Sequence, residues 1–76
     1  MLERLIGHRY ETLNELKNDI ENLTGKKVEC IEHGECDRIE DMDFVIGYYF
    51  NDEDVDVVHS IYYLKDNCGN YYITEV

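Results

Sequence analysis

Apolar side chains in this chain change their spacing at Lys26-Lys27, and that change limits the fold to one helix followed by a sheet. Ahead of it, Tyr10, Leu13, Leu16, Ile20 and Leu23 recur every three or four residues, while Glu15, Lys17, Asn18, Asp19, Glu21 and Asn22 fill the other faces. This is the pattern of a helix with one apolar stripe over residues 10 to 23. Thr12 followed by Glu15 has the form of a capping box, which leaves the start between residues 9 and 13, and Thr24-Gly25 marks the end. Met1, Leu2, Leu5 and Ile6 fit either an extra helical turn ahead of Gly7 or a short extended arm on the sheet. After Lys27, runs rich in Val, Ile, Tyr and Phe at residues 28 to 32, 44 to 50, 55 to 65 and 71 to 76 predict four strands. Asn51-Asp52-Glu53-Asp54 and Asp66-Asn67-Cys68-Gly69-Asn70 are links of hairpin length, so the last three strands form an antiparallel meander. The expected fold class is α+β: a single domain, residues 1 to 76, with one N-terminal amphipathic helix packed on a four-stranded, mainly antiparallel sheet.

A chain of 76 residues buries about 60% of its unfolded surface, which allows one thin core and little room for a deep substrate cleft. Seven tyrosines and two phenylalanines among 43% hydrophobic residues argue for a folded chain despite a net charge of −11. Cys30, Cys36 and Cys68 are an odd number, and the first residues contain no apolar run of signal-peptide length. The expectation is a reducing cytoplasm, with neither a disulfide framework nor a membrane span. The Asn22-Leu23-Thr24 sequon is read as chance in that compartment.

The charge is unevenly placed. Residues 1 to 27 are neutral, whereas residues 28 to 56 carry eleven carboxylates against Arg38 and hold a net −10. An asymmetry of this kind suggests a surface for a basic partner and excludes direct nucleic-acid binding, which needs a Lys/Arg footprint. Asp52, Asp54 and Asp56 alternate, so in an extended segment they share one face at a spacing of about 6.6 to 6.8 Å. Neighbours in such a row repel by about 0.6 kcal/mol even in water, and the row copies a line of backbone phosphates. The plainer account is a solvated face that keeps a small protein soluble. Tyrosines come in adjacent pairs, Tyr48-Tyr49, Tyr62-Tyr63 and Tyr71-Tyr72, and adjacent strand residues point to opposite faces. One of each pair therefore faces away from the helix, and tyrosines beside an acidic border have the composition of a protein interface.

Cys30, His33 and Cys36 form a Cys-x2-His-x2-Cys cluster that Cys68 or His59 could complete as a structural zinc site, provided the chain bends at Gly34. Asp52-x-Asp54-x-Asp56 opens like a calcium loop but has Val57 at its sixth position and Tyr63 at its twelfth, so the EF-hand reading fails. No phosphate-cradling glycine loop, nucleophile elbow or His-Glu-x-x-His is present, and neither an enzyme nor a cofactor is implied.

Residues 13 to 32, a helix running into Thr24-Gly25-Lys26-Lys27 and a strand ending at Glu32, together with residues 61 to 76, a strand, Asp66-Asn67-Cys68-Gly69-Asn70 and a final strand, resemble the uracil-DNA glycosylase inhibitors of Bacillus phages. The resemblance implies a small acidic α/β protein that mimics DNA to block its target. It matches Glu32 to an acidic residue which that family uses against the glycosylase's DNA groove. Only residues 34 to 42 are available where the family has a second helix, so no other functional residue carries over. More broadly the chain is similar to small phage proteins that occupy the DNA-binding faces of nucleoid proteins, polymerase or CRISPR nucleases, which implies a host-cell cytoplasm.

The expected function is thus a non-enzymatic DNA mimic that binds a basic DNA-binding protein. Glu32, Glu35, Asp37, Asp41, Asp52, Asp54 and Asp56 supply the charge, and Tyr49 and Tyr62 the short-range contacts. The alternative is a structural or adaptor module, zinc-stabilised or not, whose charge serves solubility only. A homodimer is compatible with either, because an open sheet leaves edges that pair.

Overall fold

Thr12 decides where the helix begins. Its backbone is extended (φ −135°, ψ 158°) and its hydroxyl accepts the Glu15 N–H at 3.3 Å, so α1 runs Leu13–Thr24. At the other end Gly25 adopts the left-handed conformation, φ 72°, and donates its N–H to the Glu21 carbonyl at 2.8 Å. The Glu21 carboxylate then accepts the Val28 N–H at 2.8 Å and ties the helix to the strand that follows.

The computed structural model describes residues 2–33, 44–54 and 56–76. A 3-10 turn at Leu2–Leu5 leads into β1 (Arg9–Tyr10), then α1, β2 (Val28–Glu32), β3 (Val45–Phe50), β4 (His59–Lys65) and β5 (Tyr71–Glu75). The strands form one antiparallel sheet in the order β1-β5-β4-β3-β2. An α+β fold with one helix on an antiparallel sheet is therefore present, and the three-strand meander β3-β4-β5 is as expected.

Among the described residues the sheet has five strands, not four. The added strand contains Tyr10, which the helical spacing had assigned to the stripe of α1. Gly7, at φ 89°, turns the chain after the 3-10 turn and donates its N–H to the Ile73 carbonyl at 2.8 Å, while the Ile73 N–H reaches the His8 carbonyl at 3.0 Å. Residues 7 to 10 are thereby laid along β5, with Arg9 opposite Tyr72 and Tyr10 opposite Tyr71. Tyr10 is buried, so its apolar position was correct and its element was not. Its hydroxyl donates to Asp19 of α1 at 2.7 Å, which joins β1 to the helix. Burial, then this bond and the Asp19 charge, hold the Tyr10 phenol far above the usual tyrosine range. Tyr10→Phe keeps the ring and deletes the bond. The expected loss is about 1.5 kcal/mol in urea unfolding, the low end for a bond to a charged group because Asp19 is half-exposed. No measurable loss would mean that the tie contributes nothing.

Strand β4 starts at His59, four residues later than expected. Ahead of it the Glu53 N–H reaches the Phe50 carbonyl at 3.3 Å and the Val57 N–H the Asp54 carbonyl at 2.9 Å, bonds of turns and not of a strand. In β2 the register slips between Val28 and Cys30, leaving Glu29 as the extra residue of a bulge. The slip sets Val28 and Ile31 opposite the core residues Phe50 and Tyr48, and sets Cys30 and Glu32 opposite Tyr49 and Gly47.

Leu16 and Ile20 of α1 are fully buried against the sheet. Beneath them lie Ile46, Tyr48 and Phe50 of β3, Ile61 and Tyr63 of β4, and Tyr71 and Ile73 of β5. Their neighbours Tyr49, Tyr62 and Tyr72 belong to the opposite face by strand alternation.

Candidate interaction surface

The face of the sheet turned away from α1 is assembled from four strands and the short β1. Register places Cys30 beside Tyr49, Glu32 beside Gly47 and Ser60, Val45 beside Tyr62, and Leu64 beside Tyr72, which in turn neighbours Arg9. Tyr62 is 40% and Leu64 54% exposed, Tyr49 and Tyr72 are half-buried, and Val45 is buried. An aromatic and aliphatic strip thus crosses the sheet, with Arg9 at one edge and Glu32 at the other.

Of the residues expected to bind a partner, Glu32, Tyr49 and Tyr62 are brought to this face. Glu35, Asp37 and Asp41 lie outside the described residues. Asp52, Asp54 and Asp56 are exposed. They belong to the link between β3 and β4, where the Glu53 and Val57 N–H groups reach the Phe50 and Asp54 carbonyls. The link follows Phe50 directly and lies at the end of the sheet nearest Tyr49. Within it, Asp52 Oδ2 is 3.7 Å from Lys26 Nζ, and Glu53 Oε1 is 2.8 Å from His59 Nε2.

Tyr72, Leu64 and Arg9 were missed as members of this face. The Tyr71-Tyr72 pair carried the signal for Tyr72, whereas Arg9 reaches the face only because β1 exists. Arg9 packs its guanidinium carbon 5.0 Å from the Tyr72 ring centroid and its Nε 3.4 Å from Asp66 Oδ2. Asp66 organises the β4–β5 turn: Oδ1 accepts the N–H groups of Cys68 and Asn70, both at 2.9 Å, and Oδ2 accepts the Asn70 side chain at 3.3 Å. The Asn70 N–H bond first, then those from Cys68 and the Asn70 side chain and the Arg9 charge, hold the Asp66 carboxyl below its usual range.

The cysteine–histidine cluster is not gathered as a metal site among the described residues. Cys30 is opposite Tyr49, while His33 packs against core-side rings, its Nε2 2.7 Å from the Tyr71 hydroxyl and its ring stacked 5.6 Å from Tyr63. Cys36 lies outside the described residues. His59, the other proposed ligand, is bonded to Glu53 and stacked on Tyr48 at 5.1 Å.

A separate cleft of about 460 Å³ opens between the 3-10 turn, β1 and α1, lined by Arg4, Leu5, His8, Tyr10, Asp19, Asn22 and Leu23. Its single carboxylate, Asp19, already accepts the Tyr10 hydroxyl, and the lining contains no serine or cysteine nucleophile. No helix among the described residues is long and apolar enough to cross a membrane. Comparison with known protein families, curated proteins and solved structures finds no match to this chain.

Proposed function

We propose that the protein is a non-enzymatic binding protein that docks on the basic, DNA-binding surface of another protein and blocks it, as a DNA mimic does. The observation that carries this reading is the sheet face turned away from α1, where Tyr49, Tyr62, Leu64 and Tyr72 form a strip that ends at Glu32 on β2, with the acidic β3–β4 link at the Tyr49 end of the sheet. Half-exposed tyrosines supply contact area at low entropic cost, and the surrounding carboxylates steer a positively charged partner. Asp52, Asp54 and Asp56, exposed in the β3–β4 link, add to the density of negative charge on which the mimicry rests. Glycosylases, nucleoid proteins, polymerase and CRISPR nucleases remain the partner classes of interest, since each presents a cationic groove.

The test is a pull-down on the immobilised protein from nuclease-treated bacterial lysate, eluted by a salt gradient and competed with duplex DNA. A DNA-binding protein that leaves with rising salt and is displaced by DNA is the expected capture. Against that captured protein, the triple variant Asp52→Asn, Asp54→Asn, Asp56→Asn is expected to bind about tenfold or more weakly at low salt. A captured protein that resists both salt and duplex DNA would refute mimicry, and unchanged binding by the triple variant would remove the β3–β4 link from the interface.

A further inference from the structure

We infer that the open face selects arginine over lysine in its partner, with the Tyr62 ring as the seat for a guanidinium group and Glu75 as the carboxylate beside it. This rests on the docking surface proposed above and names the side chain which that surface reads.

The protein's own cations show what its rings hold. Arg9 lies 5.0 Å from the Tyr72 centroid, Lys65 Nζ 4.2 Å from that of Tyr71, and Lys26 Nζ 5.3 Å from that of Phe50. Each of these cations also reaches an oxygen: Asp66 Oδ2 at 3.4 Å for Arg9, Asp52 Oδ2 at 3.7 Å for Lys26, and the Gly69 carbonyl at 3.3 Å for Lys65. A ring with an oxygen acceptor next to it is therefore a recurring cation seat in this protein, at Tyr72 on the open face and at Tyr71 and Phe50 on the core side. Half of the described lysines and arginines use it.

Tyr62 repeats the arrangement without the cation. Its ring is 40% exposed on the open face, and no lysine or arginine among the described residues lies over it. The register shift between Tyr62 and Tyr63 sets exposed Glu75 directly opposite Tyr62 on β5. The protein carries net charge −11, so a second copy brings like charge to this seat, whereas a basic partner brings the missing cation. Guanidinium suits the seat better than ammonium. It is planar and weakly hydrated, and it stacks on a ring while its edge N–H groups remain free for a carboxylate.

The test uses the whole chain at low salt with two labelled synthetic peptides of equal length and charge, one alternating glycine with arginine and the other glycine with lysine. The arginine peptide is expected to bind about three- to tenfold more tightly. Tyr62→Leu, which keeps apolar cover on the sheet, is expected to bring the two affinities together and leave that of the lysine peptide unchanged. Tyr62→Phe, which keeps the ring, is expected to retain the preference and guards against loss of fold in the leucine variant. Glu75→Gln is expected to weaken the arginine peptide more than the lysine peptide. Equal, salt-dependent binding of both peptides to the unaltered protein overturns this inference and leaves the docking surface standing. Arginine preference that survives Tyr62→Leu overturns the assignment to Tyr62. Failure of both peptides to bind at low salt overturns the docking surface, and the inference with it.

Discussion

Ile20→Ala is expected to lower the unfolding free energy by about 2–5 kcal/mol, read as a fall in the urea midpoint at unchanged slope. Ile20 is fully buried in the middle of the apolar stripe of α1, where the helix covers the sheet. Truncation removes the transfer free energy of the lost methyl and methylene groups and leaves a cavity that the rigid sheet below cannot fill. A chain of 76 residues has only about 4–11 kcal/mol of stability in total, so the variant loses a large part of it and is expected to be partly unfolded at physiological temperature. Leu64→Ala is the comparison. Leu64 is 54% exposed on the opposite face, and its loss is expected to stay within about 0.5 kcal/mol. Equal costs for the two variants would mean that α1 does not pack on the sheet through Ile20.

Alkaline pH is the second strong lever on stability. Tyr48 is 2% exposed, edge-on to Phe50 at 5.6 Å and stacked on His59, and burial with the nearby Glu53 charge pushes its phenol up to about 12. In the unfolded chain a tyrosine ionises near 10. Between these values the native state keeps a proton that the unfolded state has released, so stability falls as pH rises. The contribution is fully present below pH 10 and is lost through about pH 12, a change of about 2–3 kcal/mol for Tyr48. Tyr10, raised further by burial and its bond to Asp19, acts in the same direction. Urea unfolding at fixed temperature from pH 8 to 11.5 is expected to show a plateau and then a steep decline, and Tyr48→Phe is expected to flatten part of that decline. A decline identical in the variant would show that Tyr48 is not the group responsible.

Both predictions depend on features that were legible in the sequence to different degrees. The stripe Leu13, Leu16, Ile20 and Leu23 was legible because helical periodicity is local, and Thr12, Glu15 and Gly25 marked its ends with side-chain and backbone chemistry of their own. Tyr10 shows where that reasoning stops. Its spacing continues the stripe, yet Thr12 separates it from the helix and the backbone of residues 7 to 10 finds partners on β5. A two-residue strand has no period to detect. The same holds for the β3–β4 link, where alternating aspartates look extended and the Glu53 and Val57 N–H groups make the bonds of turns.

Sequence alone determined the α+β class, the helix at Leu13–Thr24, the meander and the fact that one tyrosine of each pair turns away from the core, because all of these follow from periods of 3.6 and 2 within one segment. It also determined the concentration of negative charge between residues 28 and 56. Tertiary structure decided which residues share the open face. The slip at Glu29 sets Glu32 opposite Gly47, the shift between Tyr62 and Tyr63 sets Glu75 opposite Tyr62, and β1 brings Arg9 to Tyr72. These placements depend on hydrogen bonds between segments distant in the chain, and a pattern within any one strand does not encode the register of its neighbour.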